Sequence, residues 1–282
     1  MTRRVDPPDA SVVADDVARA LAEDVRGGDL TAQLLPFEKR GRAHVVAKEP
    51  CVLAGAPWFD ACFASFDRPP VVQWHYADGD TVPAGAVVCR IEGQARAIVT
   101  GERTALNFLQ TLSATATQTA AFVAAVAGTR TRVLDTRKTL PGLRIAQKYA
   151  VRCGGGMNHR MGLWDAVLVK ENHIAAAGSI AAAIASARAI APGVLLEVEV
   201  ESLDELREAL AAKPDRIMID DFSPADMRAA VAIAAGRCAL EVSGGVSLET
   251  IGAIAKTGVD YVSIGALTKH VRAIDFSLRM DG

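Results

Sequence analysis

Two rhythms of hydrophobic and polar positions divide the chain. In the C-terminal part, short runs rich in apolar and β-branched residues recur at Arg132–Asp135, Ala166–Val169, Leu195–Val198, Arg216–Ile219, Ala239–Val242 and Tyr261–Ile264. Between them lie Ala-rich segments of helical character: Leu143–Arg152, Ile180–Ile190, Leu203–Ala211, Pro224–Ala234 and Leu248–Thr257. Apolar strands alternating with amphipathic helices predict a parallel sheet covered by helices. Six such strands predict a barrel or an open, barrel-like sheet.

The N-terminal part reads differently. Ala43–Ala47, Val71–Tyr76, Val87–Glu92 and Ala95–Val99 predict antiparallel strands, joined by turns at Asp78-Gly79-Asp80 and Pro83-Ala84-Gly85. A long helix is predicted from Glu102 to Ala127, with a break near Ser113, and the domain junction is placed there. This divides the chain into an N-terminal domain, 1–115, and a barrel domain, 116–282, whose last residues are free to return to the first. The rhythm of Asp78–Glu92 also suits a cofactor-carrier hairpin. Such a hairpin needs a lysine at its tip, and none lies between Lys48 and Lys138.

Composition narrows the class. Half of the 282 residues are hydrophobic, enough for sizeable cores and too many for a disordered chain. The segment Met1 to Val13 holds no signal-like apolar run, and no continuous stretch is long enough to span a bilayer. Five scattered cysteines without a Cys-x-x-Cys pair suit reduced thiols in a cytoplasmic protein. A net charge of −2 gives no general reason to expect nucleic acid. That small charge hides a segregation. From Arg130 to Lys170 nine Lys or Arg face two acids, whereas from Glu197 to Asp226 ten acids face three bases.

Ligands of parallel α/β folds bind at the C-terminal ends of the strands. There the chain places Asp135-Thr136-Arg137-Lys138, then Lys170, then Glu199, then Asp220-Asp221, then Ser243-Gly244-Gly245 opening a helix, then Gly265-Ala266. Glycine turns offer backbone N–H groups to phosphate. Arginine forks bind planar carboxylates, and lysine is a point charge for phosphate. Carboxylates accept from sugar hydroxyls or hold Mg²⁺. The ligand implied is polyanionic, sugar-bearing and carboxylated. Asp220 is taken as functional and Asp221 as the cap of the helix near Pro224. Three consecutive glycines, Gly154-Gly155-Gly156, open a loop that can place His159 and Arg160 over a neighbouring strand end.

The segment "DTRKTLPGLRIAQKYAVRCGGGMNHRMGLWDAVLVKENHI", Asp135–Ile174, resembles the signature region of the quinolinate phosphoribosyltransferases. So do "GERTALNFLQTLSATAT", "EVEVES", "IMIDDFSP", "EVSGGV", "YVSIGALT" and "LAEDVRGGDLT", and together they span nearly the whole chain. The resemblance implies an N-terminal α/β sandwich-like domain joined to an open α/β barrel of about six strands. It implies transfer of a phosphoribosyl group from phosphoribosyl pyrophosphate to quinolinate with Mg²⁺, giving nicotinate mononucleotide, pyrophosphate and carbon dioxide for NAD biosynthesis. By position, Arg103, Thr136, Arg137, Lys138, His159, Arg160 and Lys170 match the quinolinate site. Lys138, Lys170, Glu199, Asp220, Ser243, Gly244, Gly245, Gly265 and Ala266 match the phosphoribosyl pyrophosphate site. Of these, Lys138, Lys170, Glu199 and Asp220 match the catalytic set, and Glu199 and Asp220 the metal ligands, directly or through water. A homodimer is implied, with Arg103 contributed in trans and larger assemblies left open. Asp221-Phe222 stands where Asn-Met is common, Val242 where Ala is common, and Lys269 where His is frequent. Two alternatives remain: nicotinate phosphoribosyltransferase, which lacks the decarboxylation, and a paralogue associated with molybdate transport. The second loses ground because Lys138, Lys170, Glu199 and Asp220 are all present.

Overall fold

A computed structural model describes residues 5–281. The chain forms two compact units, and they do not follow a single cut. Unit 1 comprises residues 1–120, 139–155 and 267–282; unit 2 comprises 121–138 and 156–266.

The first unit begins with α1 (Ala10–Asp24), β1 (Arg40–Ala47), β2 (Cys51–Val52) and α2 (Ala56–Ala64). There follow β3 (Val71–Trp74), β4 (Thr81–Val82), β5 (Val87–Gln94) and the long α3 (Ala95–Ala125). The expected strand Ala95–Val99 is the first turns of α3, and the helix runs through Ser113 without a break. Ser113 is fully buried, and its hydroxyl bonds the backbone of Ala54, so it anchors the helix rather than ending it. An antiparallel sheet of order β12-β1-β5-β3 is completed by the last strand, β12 (Phe276–Met280). The core beneath is apolar: Leu53, Trp58, Phe59, Phe63, Ile91 and Leu106 are essentially inaccessible.

The second unit carries β6 (Arg132–Leu134) before α4 (Arg144–Cys153), which itself packs in unit 1. It continues with β7 (Ala166–Val169), α5 (Glu171–Ala177), α6 (Ile180–Ile190), β8 (Leu195–Val200) and α7 (Leu203–Ala212). It ends with β9 (Arg216–Asp220), α8 (Pro224–Ala234), β10 (Ala239–Ser243), α9 (Leu248–Ala255), β11 (Tyr261–Ser263) and the single turn α10 (Ala266–Lys269). All six strands are parallel, in the order β6-β11-β10-β9-β8-β7. The opening of this barrel therefore lies between β6 and β7, which are consecutive in sequence. The free edge of β6 is met by the segment after the glycines. Met157 bridges Leu134, its N–H donating to Val133 at 2.8 Å and its carbonyl accepting from Asp135 at 3.1 Å.

No single helix among the described residues is long and apolar enough to cross a membrane. All five cysteines are free thiols.

Candidate active site

The strand ends of unit 2 gather most of the residues expected at a site. After β6, the Lys138 N–H donates to Thr136 Oγ1 at 3.1 Å, closing a tight turn around Arg137. The stem of Lys138 lies against β11's end. A side chain on Gly265 would begin 2.9 Å from Lys138 Cδ and 3.5 Å from Thr136 Oγ1. Glycine there leaves room for the lysine. Ala266 opens α10 immediately afterwards.

At the ends of β7 and β8, Lys170 Nζ is paired with the Glu199 carboxylate. Glu199 is buried, whereas the lysine is half exposed and can turn to a ligand. At the ends of β9 and β10, Gly244 adopts φ of 91°, and a side chain there would begin 3.0 Å from Asp220 Oδ1. The glycine thus keeps a space open beside the Asp220 carboxylate. The turn Ser243-Gly244-Gly245 does not open the helix directly as expected: α9 starts at Leu248, capped by Ser247. Nor does Asp221 cap α8. That cap is Ser223, whose hydroxyl accepts from the Asp226 N–H, while Asp221 takes a left-handed backbone, φ 56°.

The glycine-led loop is firmly held. Asp135 is fully buried and accepts from the His159 N–H at 2.9 Å and Asn158 Nδ2 at 2.6 Å. Asp165 accepts from the backbone N–H groups of Met161 at 2.6 Å and Gly162 at 2.9 Å. Arg160 donates to the Ala166 carbonyl at 3.3 Å. Burial first, and the neighbouring Arg137 charge second, lower the Arg160 pKa, against the pull of Glu197 and Asp165. The two positive charges act on one another, and a bound anion would relieve that repulsion.

Beneath the strand ends lies a group absent from the expected site. Glu197 on β8, Arg216 on β9 and Glu241 on β10 carry their side chains on the same side of the sheet as His159. His159 Nε2 is 2.8 Å from Glu197 and 3.6 Å from Glu241, and Arg216 donates to Glu241 at 2.8 Å. Burial, then Glu197, pushes the Glu241 carboxyl up to about 7. Burial likewise raises Glu197, against the charge of Arg216. These acids could have been noticed in sequence as charges at alternate positions of otherwise apolar strands, "LLEVEV" and "ALEVS". His159, Glu197 and Glu241 place potential metal-binding atoms within 4.8 Å of one another. Hydrogen bonds account for the cluster without an ion: Arg216 holds Glu241, and His159 Nε2 lies at hydrogen-bond distance from Glu197.

Arg103 stands apart. It lies on α3 in unit 1, exposed, its guanidinium 3.8 Å from Glu102.

Residues 29–113 match the N-terminal domain of the quinolinate phosphoribosyl transferases, and residues 115–279 their C-terminal domain. The chain is 43% identical to the nicotinate-nucleotide pyrophosphorylase (carboxylating) of Mycobacterium leprae, covering 94% of this chain and 95% of that one. It is 42% identical to the probable enzyme of the same name from Bacillus subtilis, over 91% and 89% of the two chains. The solved structure of the nicotinate-nucleotide pyrophosphorylase from Francisella tularensis aligns with a TM-score of 0.94 at 46% identity, covering 100% of both chains.

Proposed function

The chain belongs to the quinolinate phosphoribosyl transferase family, and we propose that it transfers a phosphoribosyl group from phosphoribosyl pyrophosphate to quinolinate with loss of carbon dioxide. The product, nicotinate mononucleotide, would feed NAD biosynthesis. The carrying observation is the segregation of charge around one set of strand ends. Arg137, Lys138, Arg160 and Lys170 are gathered there with Glu199, Asp220 and two glycine turns.

Each group has a task on this reading. Arg137 and Arg160 clamp the two carboxylates of the acid and orient its ring nitrogen. Lys138 and Lys170 meet phosphates, with backbone N–H groups of Gly244, Gly245 and Ala266. Lys170 exchanges Glu199 for the ligand, which frees Glu199 for the ribose hydroxyls. Glu199 and Asp220 then face the positive charge that develops at C1 of the sugar as pyrophosphate leaves. The ring nitrogen attacks C1, and the pyridinium so formed withdraws electrons from the adjacent carbon. The carboxylate on that carbon leaves as carbon dioxide, and the carbanion takes up a proton. Glu199 and Asp220, with the space kept beside Asp220 by Gly244, form a hard-oxygen donor set that fits Mg²⁺ completed by water and phosphate oxygens. Bound there, the ion would stabilise the leaving pyrophosphate.

The reading extends to a homodimer in which Arg103 serves the partner's site, and to a cytoplasmic enzyme, as five free thiols suit. The deciding experiment gives the purified protein phosphoribosyl pyrophosphate, Mg²⁺ and either quinolinate or nicotinate. Carbon dioxide and nicotinate mononucleotide from quinolinate are expected. Product from nicotinate alone would replace the reading with the non-decarboxylating reaction.

A further inference from the structure

The hydrogen bonds around His159 assign its proton. A backbone N–H can only donate, so the Arg160 N–H, 2.7 Å from His159 Nδ1, makes Nδ1 an acceptor. An accepting ring nitrogen carries no proton, so the ring proton sits on Nε2. Nε2–H then donates to Glu197 at 2.8 Å, with Glu241 on the same side at 3.6 Å. Behind them Arg216 holds Glu241 and lies over the Tyr261 ring, 4.3 Å from its centroid. The ring of His159 is 8% exposed and the two glutamates 1% and 0%. A continuous series thus leads from the barrel interior to the backbone of Arg160.

The opposite tautomer is disfavoured at both ends. It would set an Nδ1–H against the Arg160 N–H, two donors facing each other. It would also turn an Nε2 lone pair toward Glu197, a clash wherever that carboxylate is ionised. The Arg160 N–H and the Glu197 carboxylate thus select the same tautomer from the two ends of the ring.

We propose that Glu197 and Glu241 are positioning residues for the quinolinate clamp: they hold His159 as its Nε2–H tautomer, so that Nδ1 fixes the Arg160 backbone and aims the Arg160 guanidinium at the substrate. This rests on the reading that Arg160 binds a quinolinate carboxylate. It also removes the His159 ring from direct carboxylate binding, because its one N–H is spent on Glu197.

The test combines NMR with binding on the full-length protein. Histidines are labelled with ¹⁵N, and His159 is assigned by its absence from the His159→Asn spectrum. Long-range ¹H–¹⁵N spectra should show a pyridine-like Nδ1 and a pyrrole-like Nε2 in the wild type. An imidazolium, or a pyrrole-like Nδ1, would overturn the proposal before any variant is made. Glu241→Gln and Glu197→Gln should disturb that signature and weaken quinolinate binding roughly 10–100-fold, the usual cost of losing an orienting partner. Binding of phosphoribosyl pyrophosphate should hardly change. Variants that keep both the wild-type signature and wild-type quinolinate affinity would overturn it. His159→Asn places an acceptor where Nδ1 lies, so it should retain more quinolinate affinity than His159→Leu; equal losses would count against a positioning role. A wild-type protein that binds no quinolinate would sink the proposed function instead, and the tautomer would still decide what the glutamates do.

Discussion

The interiors of the two units differ in how they bury charge. Unit 1 buries large apolar side chains, with Phe59 packed edge-on against Phe63 and Trp74 at 5.2 Å from each. Charge is buried there too: Asp16 is paired with Arg19 and accepts from Trp58 Nε1 at 3.0 Å, and Lys148 on α4 is fully buried. Unit 2 instead buries Glu197 and Glu241 together, with the partly buried Arg216 beside them on the same face of the sheet. An apolar interior is stabilised by area and packing, in proportion to what is buried. A charged interior is tolerable only while every member keeps its partner. The inside of the barrel is shaped by what must be held at the strand ends, and the aromatic core of unit 1 by packing.

Matched deletions, one in each interior, break the comparison most sharply. Phe59→Ala should cost about 3–5 kcal/mol, the usual range for emptying an aromatic site, with little dependence on pH. Arg216→Met should cost about 3–5 kcal/mol at alkaline pH, where the Glu241 charge is left alone. Because the folded-state pKa of Glu241 is already about 7, above its ordinary 4.5, a proton can replace the missing guanidinium as pH falls. The Arg216→Met loss should therefore shrink from pH 8 toward pH 5. Denaturant midpoints for both variants across that range check it, and a pH-independent loss for Arg216→Met would mean its charge is not what the interior needs.

The next effect tests whether the strand ends serve chemistry rather than folding. Glu199→Gln and Asp220→Asn keep size and much of the hydrogen bonding. Turnover should drop by ~10²–10³, the usual worth of a group aimed at transition-state charge. Thermal midpoints and quinolinate binding without the second substrate should stay close to wild type. Wild-type turnover with an unchanged Mg²⁺ dependence would return both acids to a structural role.

Smaller again is the clamp. Arg137→Lys and Arg160→Lys keep the charge but lose the fork, costing about 1.5–3 kcal/mol for each charged hydrogen bond left unmade. Calorimetry should find quinolinate affinity reduced and phosphoribosyl pyrophosphate affinity nearly intact. Equal losses for both ligands would show that the two arginines do not discriminate between them.

The two units also differ in how plainly their sequences announce them. The six barrel strands fall within two residues of their expected bounds, because strands covered by helices on one side and closed on the other read as short apolar runs. The first turns of α3 mislead, since "ARAIV" carries the β-branched residues of a strand. They are helical because the helix seats against α2: a side chain at Gly101 would begin 2.9 Å from the Phe63 ring. The helix α2 itself, "APWFDACFA", is nearly apolar all round and offers no periodicity to read. At the site, the charged residues that end strands were legible, because position alone points them at a ligand. The glutamates inside β8 and β10 show in sequence only as charges within apolar strands; their role was not legible, since it depends on the neighbour across the sheet and on a loop that arrives from outside it.

The smallest effect concerns Asp221 and Ser223, neighbours whose roles the sequence inverts. An aspartate just before a helix looks like its cap, but the serine two residues later makes the capping bond, accepting from Asp226 N–H at 3.2 Å. Asp221 instead occupies a left-handed backbone at φ 56°, which costs a residue with a side chain roughly 1 kcal/mol and glycine almost nothing. Ser223→Ala should therefore lower stability by about 1 kcal/mol. Asp221→Gly should leave stability unchanged or raise it slightly, the relief of strain being offset by the greater freedom of the unfolded glycine. Both residues lie just beyond Asp220, so turnover is the control: Ser223→Ala should keep it. The paired measurement is chemical denaturation with steady-state turnover. If Asp221→Gly is the more destabilising of the two, Asp221 is the residue that holds α8, and the strand end at Asp220 is organised by its side chain after all.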